Sequence, residues 1–193
     1  LDLLHRLGAE LVPVSPLSDS ALPSGLDGLY LGGGYPELYA AQLAENRSMR
    51  ESVRAALQAN LPCIAECGGF MYLTESIGEH PMVGFLPGRC FDAGKLTRFG
   101  YVTLTAQRDN LLCCAGESIP AHEFHHWDAE QTGDAFTAAK PSGRSWPCVR
   151  ATGTLYAGYP HFHFFANPSF AVRFLDACRK EHHHAGTDQT DGH

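Results

Sequence analysis

An apolar run, Leu61-Pro-Cys-Ile-Ala65, ends at Glu66-Cys67 and passes through Gly68-Gly69 into Phe70-Met-Tyr-Leu73. The run has the length and composition of a buried strand, and the segment after the glycines reads as a helix start. A strand that turns into a helix this abruptly leaves little choice of fold. The strand that follows returns parallel to the first, through a right-handed crossover. The turn constrains its side chains too. Ala65 lies two residues before Cys67 and Gly69 two residues after, and small neighbours at those positions are what a sharp, nucleophile-bearing elbow requires. Backbone N–H groups at the helix start would favour a thiolate and stabilise an oxyanion beside it. By itself the pattern is equally compatible with a buried structural cysteine.

The same alternation appears upstream. Leu1–Leu7 reads as a helix closed by Gly8, Glu10–Val14 as a short strand weakened by Pro13, and Ser15–Gly25 as a loop. Leu26–Leu31 reads as a strand that runs into Gly32-Gly-Gly-Tyr-Pro-Glu37. A long helix is expected from Glu37 to Asn60, with Leu38, Leu43, Met49, Val53 and Leu57 on one face. The fold class is therefore α/β, with a mostly parallel sheet flanked by helices. From Pro81 onward the chain becomes β-rich: Met82–Leu86, Leu96–Thr105, Glu117–His126 and Val149–His163 read as strands. Asn167 caps a last helix, with Pro168 in its first turn. One domain over residues 1–180 is expected. Residues 181–193 are polar and His-rich and read as a disordered tail, with His182–His184 incidental rather than a metal site.

Several function classes drop out. No apolar run reaches the roughly 18–20 residues that span a bilayer, and the first segment is helical rather than a signal peptide. The net charge of −7 argues against nucleic acid or an acidic membrane as partner. Seven cysteines without a CxxC pair fit neither a disulfide framework nor a zinc site. A reducing, cytoplasmic compartment follows. A start without methionine predicts a piece of a longer chain.

A nucleophilic thiol needs a base, usually histidine. In Leu155-Tyr-Ala-Gly-Tyr-Pro-His-Phe-His-Phe-Phe165 a strand period of two puts Tyr159, His161 and His163 on one face. Hydrogen-bonded structural histidines would look the same. Gly32-Gly33-Gly34 meets neither the GxGxxG spacing nor a Walker loop. Three glycines after a strand do let backbone N–H groups approach a ligand closely, as an oxyanion hole requires. In Ala121-His-Glu-Phe-His-His-Trp127, Glu123 and His125 share a side of the expected strand. The spacing is not HExxH on a helix, so a zinc-protease reading fails.

Taken together, Ser15-Pro-Leu-Ser-Asp19, Asp27 to Leu38, Ala65 to Leu73, Gly100-Tyr-Val102, His122 to His125 and Tyr159 to Phe164 resemble, in order, the glutamine amidotransferase domain of the cobyrinic acid a,c-diamide synthase family. The resemblance covers Leu1 to about Lys180. It implies a class I (triad-type), flavodoxin-like fold that releases ammonia from glutamine. Cys67 matches the nucleophile, His161 the histidine that activates it, and Gly34 and Gly68 the oxyanion donors, with Gly33, Glu123 and His163 in supporting positions. It implies no metal or cofactor in this chain. ATP, Mg2+ and a corrinoid acceptor (cobyrinate or hydrogenobyrinate) would be handled by a domain preceding Leu1, which would also hold the sheet's first strand. A homodimer is compatible with it. One departure matters: triad enzymes at large carry a glutamate two residues after the histidine, and here that residue is His163. The group that orients His161 is therefore unidentified. Two other readings stand beside this one. The same glutaminase could serve another acceptor, such as nickel-sirohydrochlorin or a cell-wall lipid intermediate, or the fold could be a non-catalytic docking domain.

Overall fold

The computed structural model of the chain describes residues 1–187. Its first half contains α1 (Asp2–Arg6), β1 (Leu29–Leu31), α2 (Ala40–Glu45), α3 (Arg47–Gln58), β2 (Cys63–Glu66) and α4 (Gly68–Leu73). Short strands β3 (Ser76–Ile77), β4 (His80–Pro81) and β5 (Arg89–Asp92) follow. Then come β6 (Arg98–Ala106), β7 (Ser118–His125), β8 (Trp127–Ala129), β9 (Phe136–Ala139) and β10 (Ser145–Cys148). The chain ends with β11 (Arg150–Ala151), β12 (Leu155–Gly158), β13 (His161–Phe162) and α5 (Pro168–Thr187).

The strand–turn–helix pattern governs the centre. β1, β2 and β12 are parallel neighbours in that order, and β11 closes the sheet antiparallel. Parallel strands are buried on both faces, and every residue of β2 is buried. On one face Leu29, Leu31, Cys63 and Ala65 pack with Met49 and Val53 of α3 and Phe70 of α4. On the other, Ile64 and Tyr156 pack with Leu4 of α1 and Phe170 and Phe174 of α5. Each fully buried side chain of this size contributes roughly 1.5–3 kcal/mol. The strand's period of two puts the next residue on the Ile64 side at Glu66, which brings a carboxylate to the edge of an apolar layer.

The β-rich half forms a five-stranded antiparallel sheet, β10-β9-β6-β7-β13, whose Val102, Leu104, Ile119 and Phe136 join the Ile64 layer. A small mixed sheet, β4-β3-β5-β8, is hydrogen-bonded to neither, and its Ile77 and Cys90 pack into the Leu29–Cys63 layer. The segment expected as one strand from Val149 to His163 is three. β12 belongs to the parallel sheet and β13 to the antiparallel one, where His161 pairs with His122. Pro160 between them has no N–H for a ladder, so the chain can change sheets there.

Three other expectations are corrected. Glu10–Val14 is not a strand: Leu11 and Val12 are exposed, with no apolar layer to rest on. Met82–Leu86 is irregular. Its N–H groups instead bond the carbonyls of Tyr72, Leu73, Thr74 and Glu75 at the end of α4, satisfying groups a helix terminus leaves open. The helix expected from Glu37 to Asn60 breaks at Asn46, whose side chain accepts the Met49 N–H and donates to the carbonyls of Pro16 and Asp19. That cap starts α3 afresh and ties it to the 15–19 loop. The backbone of α5 continues past residue 181 to Thr187. The rest of the expected tail, 188–193, lies outside the described residues, as do the side chains of His182–His184. No helix among the described residues is long and apolar enough to cross a membrane.

Candidate active site

Cys67 occupies the turn between β2 and α4 with φ 48° and ψ −104°. A non-glycine residue there costs about 1–3 kcal/mol and persists only where its surroundings hold it. They do: the Cys67 N–H donates to the Gly158 carbonyl at 2.8 Å, and the Met71 N–H donates to the Cys67 carbonyl at 2.9 Å. The small residues after it are required by contact. A Cβ on Gly69 would lie 2.7 Å from the Leu31 carbonyl carbon. On Gly68 it would lie 2.9 Å from Pro36 Cδ and 3.0 Å from the Gly34 nitrogen. The elbow therefore rests directly on the glycine loop, and the Gly69 N–H donates to the Gly32 carbonyl at 3.1 Å. Cys67 is 7% exposed, a buried cysteine at the lip of a turn.

β13 carries His161 to this turn, beside Cys67. Its Nδ1 lies 3.6 Å from Glu66 Oε2. That is an ion-pair separation, longer than a formed hydrogen bond. The imidazolium is held up to a pKa of about 10, first by the adjacent Cys67 and then by Glu66, against the opposing effect of burial. Gly33 forms the other wall, since a Cβ there would overlap the imidazole Cε1. Of the expected residues, Cys67, His161, Gly33, Gly34 and Gly68 are thus brought together from three separate segments.

Two are placed elsewhere. His163 is exposed and stacks on Phe165 with centroids 5.4 Å apart. Glu123 and His125 do share a face of β7, in a small cavity lined also by Arg98, Asp128, Trp146 and Tyr159. Burial pushes the Glu123 carboxyl up to about 7, partly offset by Arg98 and a bond to Trp146. Burial also lowers the His125 pKa and keeps it neutral. Its Nδ1–H donates to the Trp127 carbonyl at 2.6 Å, and its ring stacks on Tyr159 at 3.8 Å. Tyr159, in turn, meets Phe70 edge-on at 5.2 Å. This cluster backs the elbow through Tyr159 and Phe70.

Sequence reading passed over Glu66 and Tyr30. Glu66 is 5% exposed. Its Oε2 accepts the Tyr30 hydroxyl at 2.9 Å, and its Oε1 accepts the Phe162 N–H at 3.2 Å. Burial and then the adjacent carboxylate raise the Tyr30 pKa, so the phenol stays a donor. The available signal was a carboxylate in the apolar strand, in phase with Ile64.

The model of the CobB/CobQ-like glutamine amidotransferase domain matches residues 1–169. The chain belongs to this family. A cobyrinate a,c-diamide synthase from Salmonella typhimurium is 41% identical over 190 residues, covering 93% of this chain and 41% of that protein. One from Caldanaerobacter subterraneus subsp. tengcongensis is 37% identical over 186 residues, covering 92% of this chain and 41% of its own length. The chain thus spans about two fifths of the length of the curated relatives it matches. The crystal structure of a glutamine amidotransferase superposes with a TM-score of 0.61 at 20% identity, covering 92% of this chain and 91% of that one. That likeness supports the class I amidotransferase fold expected from the sequence.

Proposed function

We propose that this chain is the glutaminase half of a cobyrinate a,c-diamide synthase. It would supply ammonia from glutamine for amidation of the a and c side-chain carboxylates of a corrinoid. The observation that carries this reading is a cysteine strained onto an elbow, with a histidine beside it and the backbones of Gly34 and Gly68 in contact next to it.

The chemistry follows from those positions. The Cys67 thiolate attacks the side-chain carbonyl carbon of glutamine, and the N–H groups of Gly34 and Gly68 take the resulting oxyanion. The His161 imidazolium gives its proton to the leaving nitrogen, the C–N bond breaks, and ammonia departs from a γ-glutamyl thioester. Neutral His161 then takes a proton from water, whose oxygen attacks the thioester. The C–S bond breaks, glutamate leaves, and thiolate and imidazolium are restored. In this reading ATP, Mg2+ and the corrinoid would be handled by the part of the relatives that this chain does not span, about three fifths of their length.

In the full-length protein, Cys67→Ala is expected to abolish glutamine-dependent amidation while ammonia-dependent amidation continues at its original rate. Glutamine-driven product from the variant would overturn the assignment.

A further inference from the structure

From its geometry we infer that Glu66 is the positioning residue for His161. It fills, from the end of β2, the role that triad enzymes give to a glutamate two residues after the histidine. The inference rests on the glutaminase reading above, and it deepens that reading.

Position His163, where that glutamate would stand, faces away and stacks on Phe165. Glu66 is the residue immediately before the nucleophile, so the turn that displays Cys67 on one side leaves the Glu66 side chain on the covered side of the sheet. There it is clamped. The Phe162 N–H holds one oxygen, and Phe162 is the residue next to His161 on β13. The Tyr30 hydroxyl holds the other oxygen, the one 3.6 Å from Nδ1. A buried carboxylate with both oxygens occupied is fixed in orientation, and it costs little further reorganisation when charge develops on the imidazole. With Nδ1 facing Glu66, Nε2 is left for the sulfur. That is the division of labour by which a carboxylate sets a histidine's tautomer and stabilises its protonated form.

The titratable groups packed around the pair are few. Cys67 and Glu66 come from the end of β2, Tyr30 from β1 and Tyr156 from β12, and β7 brings His122 and His125. Both tyrosines are held protonated, their pKa values raised chiefly by burial. His125 is held neutral. Glu66 is the only carboxylate in the set, so it is the group whose charge can be removed with a clear sign.

The test uses the full-length protein and Glu66→Gln, which keeps the size and the oxygen that accepts the Phe162 N–H but removes the charge. His161 is titrated by NMR through its ring Cε1, and glutamine hydrolysis is followed against pH. Losing an opposite charge at this distance is expected to lower the His161 midpoint by about one unit or more. The alkaline limb of kcat should move to lower pH by the same amount. At pH 7.5 kcat is expected to fall about 10- to 100-fold, with KM for glutamine within about threefold. Glu66→Asp keeps the charge but withdraws it by one methylene. It should shift the midpoint in the same direction by less, and it serves if the Gln variant does not fold. A midpoint and limb that stay put in either folded variant would overturn the inference, as would kcat, KM and Tm falling together with the limb unmoved. Should the wild type hydrolyse no glutamine, the glutaminase reading fails while the His161 titration still decides whether Glu66 holds the ring.

Discussion

At the scale of single residues, the candidate site is defined as much by missing side chains as by present ones. Gly33 and Gly32 are adjacent, yet a methyl group would act differently at each. On Gly33 it would overlap the His161 ring, whereas on Gly32 it would meet only Tyr30 Cε1 at an ordinary 3.8 Å. Gly33→Ala is therefore expected to displace the imidazole and lower kcat for glutamine hydrolysis by at least about tenfold, since small misplacements of a proton donor are costly. Gly32→Ala should stay within about threefold of wild type. Steady-state kinetics on the two variants side by side check the contrast. Equal effects would mean that the ring is not seated on Gly33. Cys67 was legible as a nucleophile candidate because its evidence is local: two small neighbours and a strand-to-helix change within a few residues. Glu66 was not, because its partners, Tyr30 and Phe162, lie 36 and 96 residues away.

At the scale of elements, β7 contains a buried acid that the proposed chemistry leaves unused. Glu123 is 2% exposed, and its Oε2 has no partner among the described residues. Its folded-state pKa is raised from 4.5 to about 7. A raised carboxyl binds its proton more tightly in the folded chain than in the unfolded one. Its contribution is full below about pH 4.5 and is lost as the pH rises through 7. Relative to Glu123→Gln, which does not titrate, the wild type is expected to lose roughly 1–3 kcal/mol of stability between pH 4 and pH 8. Urea unfolding of both proteins across that range checks this, and a difference that is flat with pH would contradict it. The alternation of β7 predicted that Glu123 and His125 share a face. It did not predict that this face closes over Tyr159 rather than over the thiol.

At the scale of the whole molecule, the chain has the parts for releasing ammonia, and its relatives have about as much chain again and half more. Given glutamine alone, it is expected to form glutamate and ammonia in equal amounts, with no dependence on ATP or a corrinoid, since every group the proposed chemistry uses lies in this chain. Coupled assay of glutamate with and without ATP and acceptor checks this, and strict dependence on both would show that the site is completed by the rest of the protein. The sequence by itself determined the parallel centre, the elbow and a candidate nucleophile on it, because these follow from steric rules acting over a few residues. The order of motifs likewise placed the chain near its family. Only the tertiary structure decided that His161 reaches the thiol, that Glu66 stands behind it, and that both His163 and Glu123 lie elsewhere. Those outcomes depend on where β13 leaves one sheet for the other at Pro160 and on which side of β2 is covered. No period or spacing encodes either, because both are set by the packing of segments distant in the chain.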